Sequence, residues 1–542
     1  MKHQTLAFLV VPALLVAALT VACTSGSEET DHEDGANPDW YREVVFMEVF
    51  VRSFHDADGD GIGDFPGFTE KLPYLADLGI GGLWLMPIYP TAFTDSGYDV
   101  DDYRAINPEY GTMADFDAFL ARAHALGIRV FLDGVFNHTS DRHAWFIDSR
   151  SSLESEKRDW YIWADEPLHD CPNMVDAGLP SWTWDEATEQ SYFHFFRPSQ
   201  PDLNLANPDV REAIKEGMRF WLDRGVDGFR LDVPTHFFED EGACQHHRET
   251  HVFLKELRSV LDTYPDRAMI GETGGQPQDV IAYFGENTDE LPMVLDFWSN
   301  ITILAAAVLG TPQPVDVWLR LMNDRLPAGA QAGIFTQNHD FIRADTLLLH
   351  DPARQKIVAT TLLTLPGTPF LFYGQEIGMA SGLEQVVDYR DASRTPMQWD
   401  STPNAGFTTG TPWIRMAPGH QRVNVASQEM EPDSLLNHFR RMIALRNSLP
   451  TLQTGTFVRA QHDARPVLAF FRGDGEEAIL VALNFSRKET ALMVDLAGSP
   501  WNGLAGDLVD LYREEPAGTI TPGDPLPISL PARGFSILGI EG

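Results

Sequence analysis

The sequence predicts an α/β fold: a parallel (β/α)8 TIM barrel with a domain inserted after its third strand and an antiparallel β-sandwich at the C-terminus. Three observations carry this expectation. Short apolar, β-rich runs alternate with segments of helical period from Val44 to Phe372, the rhythm of βα units. The rhythm breaks from Asn137 to Pro201 and then resumes. Near Pro450 it gives way to short strand patterns separated by Gly, Asp and Pro, the mark of a sandwich.

Taken in order, Val44–Phe50 reads as the first strand and the amphipathic Phe68–Leu78 as the helix after it. Gly82–Met86, the helix Met113–Leu126 and the strand Arg129–Asp133 follow. Residues 137–201 are rich in Trp, Asp, Pro and Ser without a clear period, as expected of a small inserted domain. The helix Pro208–Arg224, strand Gly228–Leu231, helix Thr250–Thr263 and strand Ala268–Gly271 restore the alternation. Met293–Phe297, Gly333–Thr336 and Pro369–Phe372 complete eight strands. Val467–Phe471, Ala478–Leu483, Thr490–Val494 and Phe535–Leu538 read as sandwich strands. The implied division is a barrel over 39–136 and 202–448, an insert over 137–201 and a sandwich over 449–542.

A chain of 542 residues has room for two or three domains. Its net charge of −39 argues against a nucleic-acid partner, which needs a basic footprint, and fits solubility outside the cell or tolerance of salt. Aromatic residues make up 11 % of the chain, with 13 Trp, enough to offer stacking surfaces to rings. At the N-terminus, Met1-Lys-His precedes an apolar stretch from Leu6 to Val21 that ends at Ala22-Cys23. A charged start, a short apolar segment and a small residue before the break predict an export signal over 1–22 rather than a spanning helix. Cys23 directly after Ala22 resembles a bacterial lipoprotein box, which implies lipidation at Cys23, a flexible tether over 23–38 and membrane contact only through the lipid. The expected location is a periplasmic or cell-surface membrane, with the protein acting as a monomer. Cys171 and Cys244 remain, and one disulfide or two free thiols both fit.

Three acidic residues each sit just past an apolar run: Asp232 after Gly228-Phe-Arg-Leu, Glu272 after Ala268-Met-Ile-Gly, and Asp340 after Gly333-Ile-Phe-Thr-Gln-Asn-His. Charges at the ends of buried strands are costly unless paired or working. In a barrel the C-terminal strand ends converge on one mouth, where chemistry is done. Two carboxyls flanking one bond are what glycoside hydrolysis needs. Arg230 lies two residues before Asp232 and so points the same way on a strand; it is expected to keep Asp232 ionised with a depressed pKa, as suits a nucleophile. Glu272, near other carboxylates, is expected to keep its proton and act as general acid. Asp340 would stabilise positive charge in an oxocarbenium-like transition state.

The motifs around these residues resemble a known family. Asp133-Gly-Val-Phe-Asn-His138, Gly228-Phe-Arg-Leu-Asp232, Glu272 and Phe335-Thr-Gln-Asn-His-Asp340 resemble the four signature regions of the alpha-amylase superfamily, glycoside hydrolase family 13. Gln200-Pro-Asp-Leu-Asn204 resembles its fifth region, and Gly367–Gly378 its last strand and loop. The resemblance runs from Asp39 to the C-terminus. It implies Asp232 as nucleophile, Glu272 as acid/base and Asp340 as transition-state stabiliser, acting on an α-glucan or oligosaccharide with no organic cofactor. It further implies that Arg230, His138 and His339 hold the sugar in the innermost subsite over the aromatic platform of Tyr98. Asp99, paired with Arg394 of Arg394-Thr-Pro-Met-Gln-Trp399, resembles the pair with which α-glucosidases close the site behind a non-reducing end.

A separate signal is His55-Asp56-Ala-Asp58-Gly-Asp60-Gly-Ile62-Gly-Asp64. Alternate carboxylates in a Gly-rich loop repel one another unless a hard cation sits among them. The spacing begins like an EF-hand, but Gly67 stands where the final Glu would be needed. It resembles the first-loop metal site of family 13 glucosidases, which implies side-chain ligands Asp56, Asp58, Asp60 and Asp64 and the Ile62 carbonyl. The expected ion is a structural calcium; magnesium also fits.

Subgroup signals are mixed. Arg158–Trp163, Trp182–Asp185 and Glu249–Arg258 resemble trehalose synthases, whereas Arg394–Trp399 and Asn404–Phe407 resemble α-glucosidases. Val233 follows the nucleophile as in α-1,6-acting members. The leading expectation is a retaining α-glucan or malto-oligosaccharide hydrolase of amylase or glucosidase type. The alternatives are a trehalose synthase-type glucosyltransferase, an oligo-1,6-glucosidase or, remotely, a non-catalytic glucan-binding or transporter-associated protein.

Overall fold

The computed structural model describes residues 37–541 apart from 176–177, 241 and 384–388. The expected export signal and the lipidation site Cys23 lie outside the described residues. Eight parallel strands close into a barrel: β1 (Phe46–Val49), β2 (Gly82–Leu85), β3 (Arg129–Gly134), then β7 (Gly228–Leu231), β8 (Ala268–Gly271), β9 (Met293–Asp296), β10 (Gln331–Phe335) and β11 (Thr368–Phe372). They are the eight strands expected from the sequence, in the order β1-β11-β10-β9-β8-β7-β3-β2 around the barrel. Between β3 and β7 the insert forms a small antiparallel sheet of β4 (Trp163–Ala164), β5 (Trp182–Asp185) and β6 (Gln190–Phe193).

The barrel strands are buried on both faces, so their sequences are apolar without alternation. Alternation survives in direction. On β1, Met47 and Val49 pack in the outer core under the helices, while Phe46 packs inside the barrel with Trp84, Phe131, Ile270 and Phe370. The rings of Phe46 and Phe370 stack at 4.6 Å. Gly82 and Gly228 make room for this filling: a Cβ on Gly82 would stand 2.5 Å from the Phe46 ring, and one on Gly228 2.5 Å from the Phe131 ring. One layer higher the same period puts polar groups inside, with Glu48 beside Trp84 and Asp133 beside Arg230 in register.

The C-terminal region pairs β12 (Phe457–Arg459), β14 (Val467–Arg472), β15 (Ile479–Asn484), β17 (Gly506–Asp510), β18 (Glu515–Ile520) and β20 (Phe535–Ile540) in one antiparallel sheet. A second sheet holds β13 (Gln461–His462), β16 (Thr490–Asp495) and β19 (Leu526–Leu530). The two enclose an apolar core around Trp501, Leu480, Val494 and Leu530. β12, β13, β17, β18 and β19 were not expected; β18 is largely exposed and polar, so its apolar signal is weak. Cys171 of the insert and Cys244, in the loop after β7, form a disulfide with Cα atoms 5.4 Å apart. Among the described residues no helix is long and apolar enough to cross a membrane.

Candidate active site

Asp232 and Glu272 follow the last residues of β7 and β8, and Asp340 lies five residues past β10, all at the C-terminal end of the barrel. Arg230 holds the first two together. It is fully buried, and its Nη1 donates to Asp232 Oδ1 at 2.9 Å while Nη2 donates to Glu272 Oε2 at 2.5 Å. Nη1 also donates to Asp133 Oδ1 at 2.7 Å. Asp133 accepts from Trp84 Nε1 at 3.1 Å and from Tyr98 Oη at 2.9 Å as well. The guanidinium lies over the Trp84 ring, 4.8 Å from its centroid.

One cation thus serves three carboxylates, which changes the expected electrostatics. Asp232 is not depressed: burial pushes its carboxyl well above the usual range against the pull of Arg230, and Glu272, Asp133 and Asp340 add to the rise. Burial also raises Glu272, opposed by Arg230 and reinforced by Asp340. The two carboxyls lie beside one guanidinium, so the loss of a proton from either is felt by the other. Val233, immediately after Asp232, sits at φ 36° and ψ 49°, a left-handed conformation costly for a β-branched residue. That backbone aims its N–H at Glu272 Oε2, 3.2 Å away.

His339 and Tyr98 lie at the same centre. Their rings stack at 5.2 Å, and Tyr98 Oη is 2.9 Å from His339 Nε2. His339 Nε2 is 3.4 Å from Asp340 Oδ2. His138 Nε2 lies 3.0 Å from the Tyr98 carbonyl, and burial pushes its pKa down to about 4. Asp202 of the fifth motif accepts from Asn137 Nδ2 and from the Phe195 N–H, both at 2.9 Å, tying the insert to the end of β3; burial raises its pKa to about 8.

Two expected partners require correction. Asp99 was expected beside Arg394, but it is wholly buried and its carboxylate accepts from the backbone N–H groups of Ala92, Thr94 and Asp95 at 3.1–3.2 Å. It shapes the loop and faces no guanidinium. Arg394 is likewise buried, with Nε on the His339 carbonyl at 3.0 Å and Nη2 on Asp340 Oδ1 at 3.1 Å. The acid beside both arginines is Asp95: Arg390 Nη2 is 2.7 Å and Arg394 Nη1 4.0 Å from Asp95 Oδ1, and Arg390 Nη1 is 3.8 Å from Asp340. Gln200 Nε2 donates to the other Asp95 oxygen at 3.3 Å.

In the loop after β1, carboxylate oxygens of Asp56, Asp58 and Asp64 lie within 4.8 Å of one another. Backbone amides of the loop hold them: Gly59 and Gly61 on Asp56, Asp60 on Asp58, and Ala57 and Gly67 on Asp64. Gly61, at φ 99°, packs so closely on residue 411 that a Cβ would stand 1.9 Å from the Thr411 carbonyl oxygen. Three converging anionic oxygens in a tight loop fit a hard divalent cation. Asp60 does not join them; its carboxylate accepts from the Ile62 N–H at 2.8 Å.

A cluster of acidic side chains around a buried arginine, at the C-terminal mouth of an eight-stranded parallel barrel, defines a glycosidase-type barrel enzyme. Comparison places it more closely. Residues 48–455 match the alpha amylase catalytic domain, and residues 456–537 match the C-terminal domain of maltogenic amylase. The chain belongs to the alpha-amylase family, glycoside hydrolase family 13, and is an enzyme of that family. It is 37 % identical over 503 residues to a probable alpha-glucosidase of Rhizobium meliloti, covering 83 % of this chain and 90 % of that protein. It is 37 % identical over 552 residues to a trehalose synthase/amylase of Mycolicibacterium smegmatis, covering 92 % of each. The solved trehalulose synthase of Pseudomonas mesoacidophila MX-45 is similar with a TM-score of 0.80 at 31 % identity, covering 93 % of this chain and 99 % of that one.

Proposed function

We propose that the protein is a retaining α-glucosidase that removes glucosyl units from the non-reducing ends of malto-oligosaccharides. The observation that carries this reading is Asp232 and Glu272 bound to the two terminal nitrogens of one guanidinium. One side chain spans both, so they are close enough for direct attack by one carboxylate while the other protonates the leaving oxygen. Asp232 attacks the anomeric carbon and Glu272 gives its proton to the departing sugar oxygen. Glu272, now ionised, then takes a proton from the water that cleaves the glycosyl-enzyme. Burial holding the pair short of full ionisation supports one acid and one base at the same time. Asp340 faces the positive charge that develops on the sugar, and Arg394 and His339 hold it there.

Exo action rests on Asp95 and Arg390. Paired at 2.7 Å beside Asp340, with Arg394 at 4.0 Å from the same Asp95 oxygen, they would form a charged stop behind a terminal sugar. A trehalose synthase reading has its own support, since relatives of that name are as similar as the probable alpha-glucosidase. Products separate the readings. On maltotriose the α-glucosidase yields glucose and maltose first; maltose converted to trehalose with little free glucose would reject it.

Structurally, the loop of Asp56, Asp58 and Asp64 would hold calcium, fixing that turn against residues 407–411, where Asp56 N–H donates to the Phe407 carbonyl at 3.0 Å. The ion supplies charge neutralisation only. The sequence of residues 1–23 supports export and anchoring through Cys23; a Cys23→Ser protein that stayed in the membrane fraction would reject the anchor.

A further inference from the structure

Glu48 is a carboxyl in the middle of an apolar strand, with 1 % of its surface exposed. Its Oε1 lies 2.5 Å from His339 Nδ1. On the far side of the ring, Nε2 lies 2.9 Å from Tyr98 Oη and 3.4 Å from Asp340 Oδ2. The ring is fixed, stacked on Tyr98 and met edge-on by Trp84 at 5.7 Å.

Three proton arrangements fit the Glu48–His339 contact. In the first, a Glu48 carboxylate accepts from Nδ1–H. Nε2 is then bare, and its lone pair faces the Asp340 carboxylate. The single Tyr98 hydrogen must go to Nε2, and Asp133 loses it. In the second, Glu48 is a carboxylic acid that donates to Nδ1. Nε2–H then donates to Tyr98 Oη and points toward Asp340, and Tyr98 O–H donates to Asp133 Oδ2 at 2.9 Å. In the third, Glu48 is a carboxylate and both ring nitrogens carry hydrogen, which keeps the Tyr98–Asp133 bond but buries a charge on each group. The second keeps that bond with both groups neutral and sets no Nε2 lone pair against Asp340.

We propose that Glu48 is a positioning residue: as a neutral carboxylic acid it holds His339 in the tautomer whose Nε2–H faces the sugar. The surroundings agree. Burial is the largest influence on both groups, raising Glu48 well above the usual carboxylate range and lowering His339 well below that of a free imidazole. Around Glu48, Arg230 opposes the rise while Asp340 and Asp133 add to it; Tyr373 and Arg343 also lie within its electrostatic reach. Around His339, Arg394, Arg230 and Arg390 all disfavour the imidazolium. Burial of both groups and the three guanidinia favour the neutral pair of the second arrangement, against the pull of Asp340 at 3.4 Å on the ring. Its consequence is that His339 offers a sugar hydroxyl a donor and no acceptor.

The sugar contact rests on the α-glucosidase reading, whereas the proton positions do not, so the test has two arms. Neutron diffraction from D2O-exchanged crystals should find deuterium on His339 Nε2 and none on Nδ1. Deuterium on Nδ1 overturns the proposal whatever the enzyme's substrate. In the kinetic arm, Glu48→Gln can still donate to Nδ1 and should keep kcat/KM on maltose within threefold of wild type. Glu48→Met fills the volume but donates nothing, and kcat/KM should fall at least 30-fold, more through kcat than KM, because the sugar contacts tighten in the transition state. A Met variant within threefold of wild type, or a Gln variant as impaired as the Met variant, overturns it. If the Met variant does not fold, the Gln variant and the neutron map still decide.

Discussion

The chain gathers carboxylates in two places and neutralises them differently. In the barrel mouth, Asp133, Asp232 and Glu272 share the buried guanidinium of Arg230. In the loop after β1, Asp56, Asp58 and Asp64 converge with backbone amides as their donors, and among the described residues none of the three forms an ion pair. A guanidinium is a permanent part of the protein, always charged and shaped to serve several carboxylates at once. Amide dipoles orient anions without cancelling their charge, which leaves a cation to be taken from solution. The difference teaches that a buried arginine lets three carboxyls share one site, whereas amide-held carboxylates keep a charge that a cation, as proposed above, would neutralise.

The largest contrast should come from Asp232→Asn. It removes the attacking oxygen but leaves the amide a place beside Arg230, so kcat on maltose should fall at least about 10⁴-fold with Tm held or raised. Asp56→Asn at the other cluster should leave kcat per folded molecule nearly unchanged. Next in size is Arg230→Met. Three buried carboxyls lose their only shared cation, and breaking such a pair costs roughly 3–5 kcal/mol, read as lost stability in chemical denaturation. If that variant were as stable as wild type, the arginine would not be what makes the cluster tolerable.

Chelation is the sharper test of the loop. A bound ion at 100 times its Kd contributes about 2.7 kcal/mol, so EDTA should lower Tm by a few degrees and added calcium should restore it. Asp56→Asn should abolish that response. A further contrast, spread over a pH range, separates both clusters from a buried group whose hydrogen-bond partners are neutral. His438, between Tyr512 Oη at 2.7 Å and Thr360 Oγ1 at 3.0 Å, has its pKa pushed down by burial from 6.5 to about 3. The unfolded chain takes up a proton that the folded chain refuses, so stability is full above pH 6.5 and is lost as pH falls toward about 3. His438→Gln should flatten the fall of unfolding free energy below pH 6.5 by up to about 1.4 kcal/mol per pH unit, read by chemical denaturation across that range.

Much of this was legible before any coordinates. Barrel strands announce themselves because both faces are buried, and Asp232 and Glu272 stand out where apolar runs stop at a charge. Asp95 was missed in favour of Asp99, although Tyr98 and Asp99 are neighbours. Adjacent side chains on extended chain point opposite ways, so a Tyr98 facing the mouth turns Asp99 into the loop. Arg390 and Arg394 lie four residues apart beyond a strand pattern, where no period tells that both reach Asp95. Glu48 carried a signal that went unread: a lone acid inside Val44-Val-Phe-Met-Glu-Val-Phe50 is as anomalous as the triad. The depressed pKa expected of Asp232 failed for a different reason. The arginine beside it was visible in the chain, but only packing reveals how deeply Asp232 is buried and that Asp133 and Glu272 draw on the same cation.

The central claim is that Asp232 and Glu272 act on one bond by double displacement, releasing glucose from a non-reducing end. Following maltose cleavage by proton NMR in the first minutes, before mutarotation, tests it most directly. Retention predicts that the glucose freed from the non-reducing end emerges as the α-anomer, with Asp232→Asn silent. Release as the β-anomer, or trehalose in place of free glucose, would contradict it.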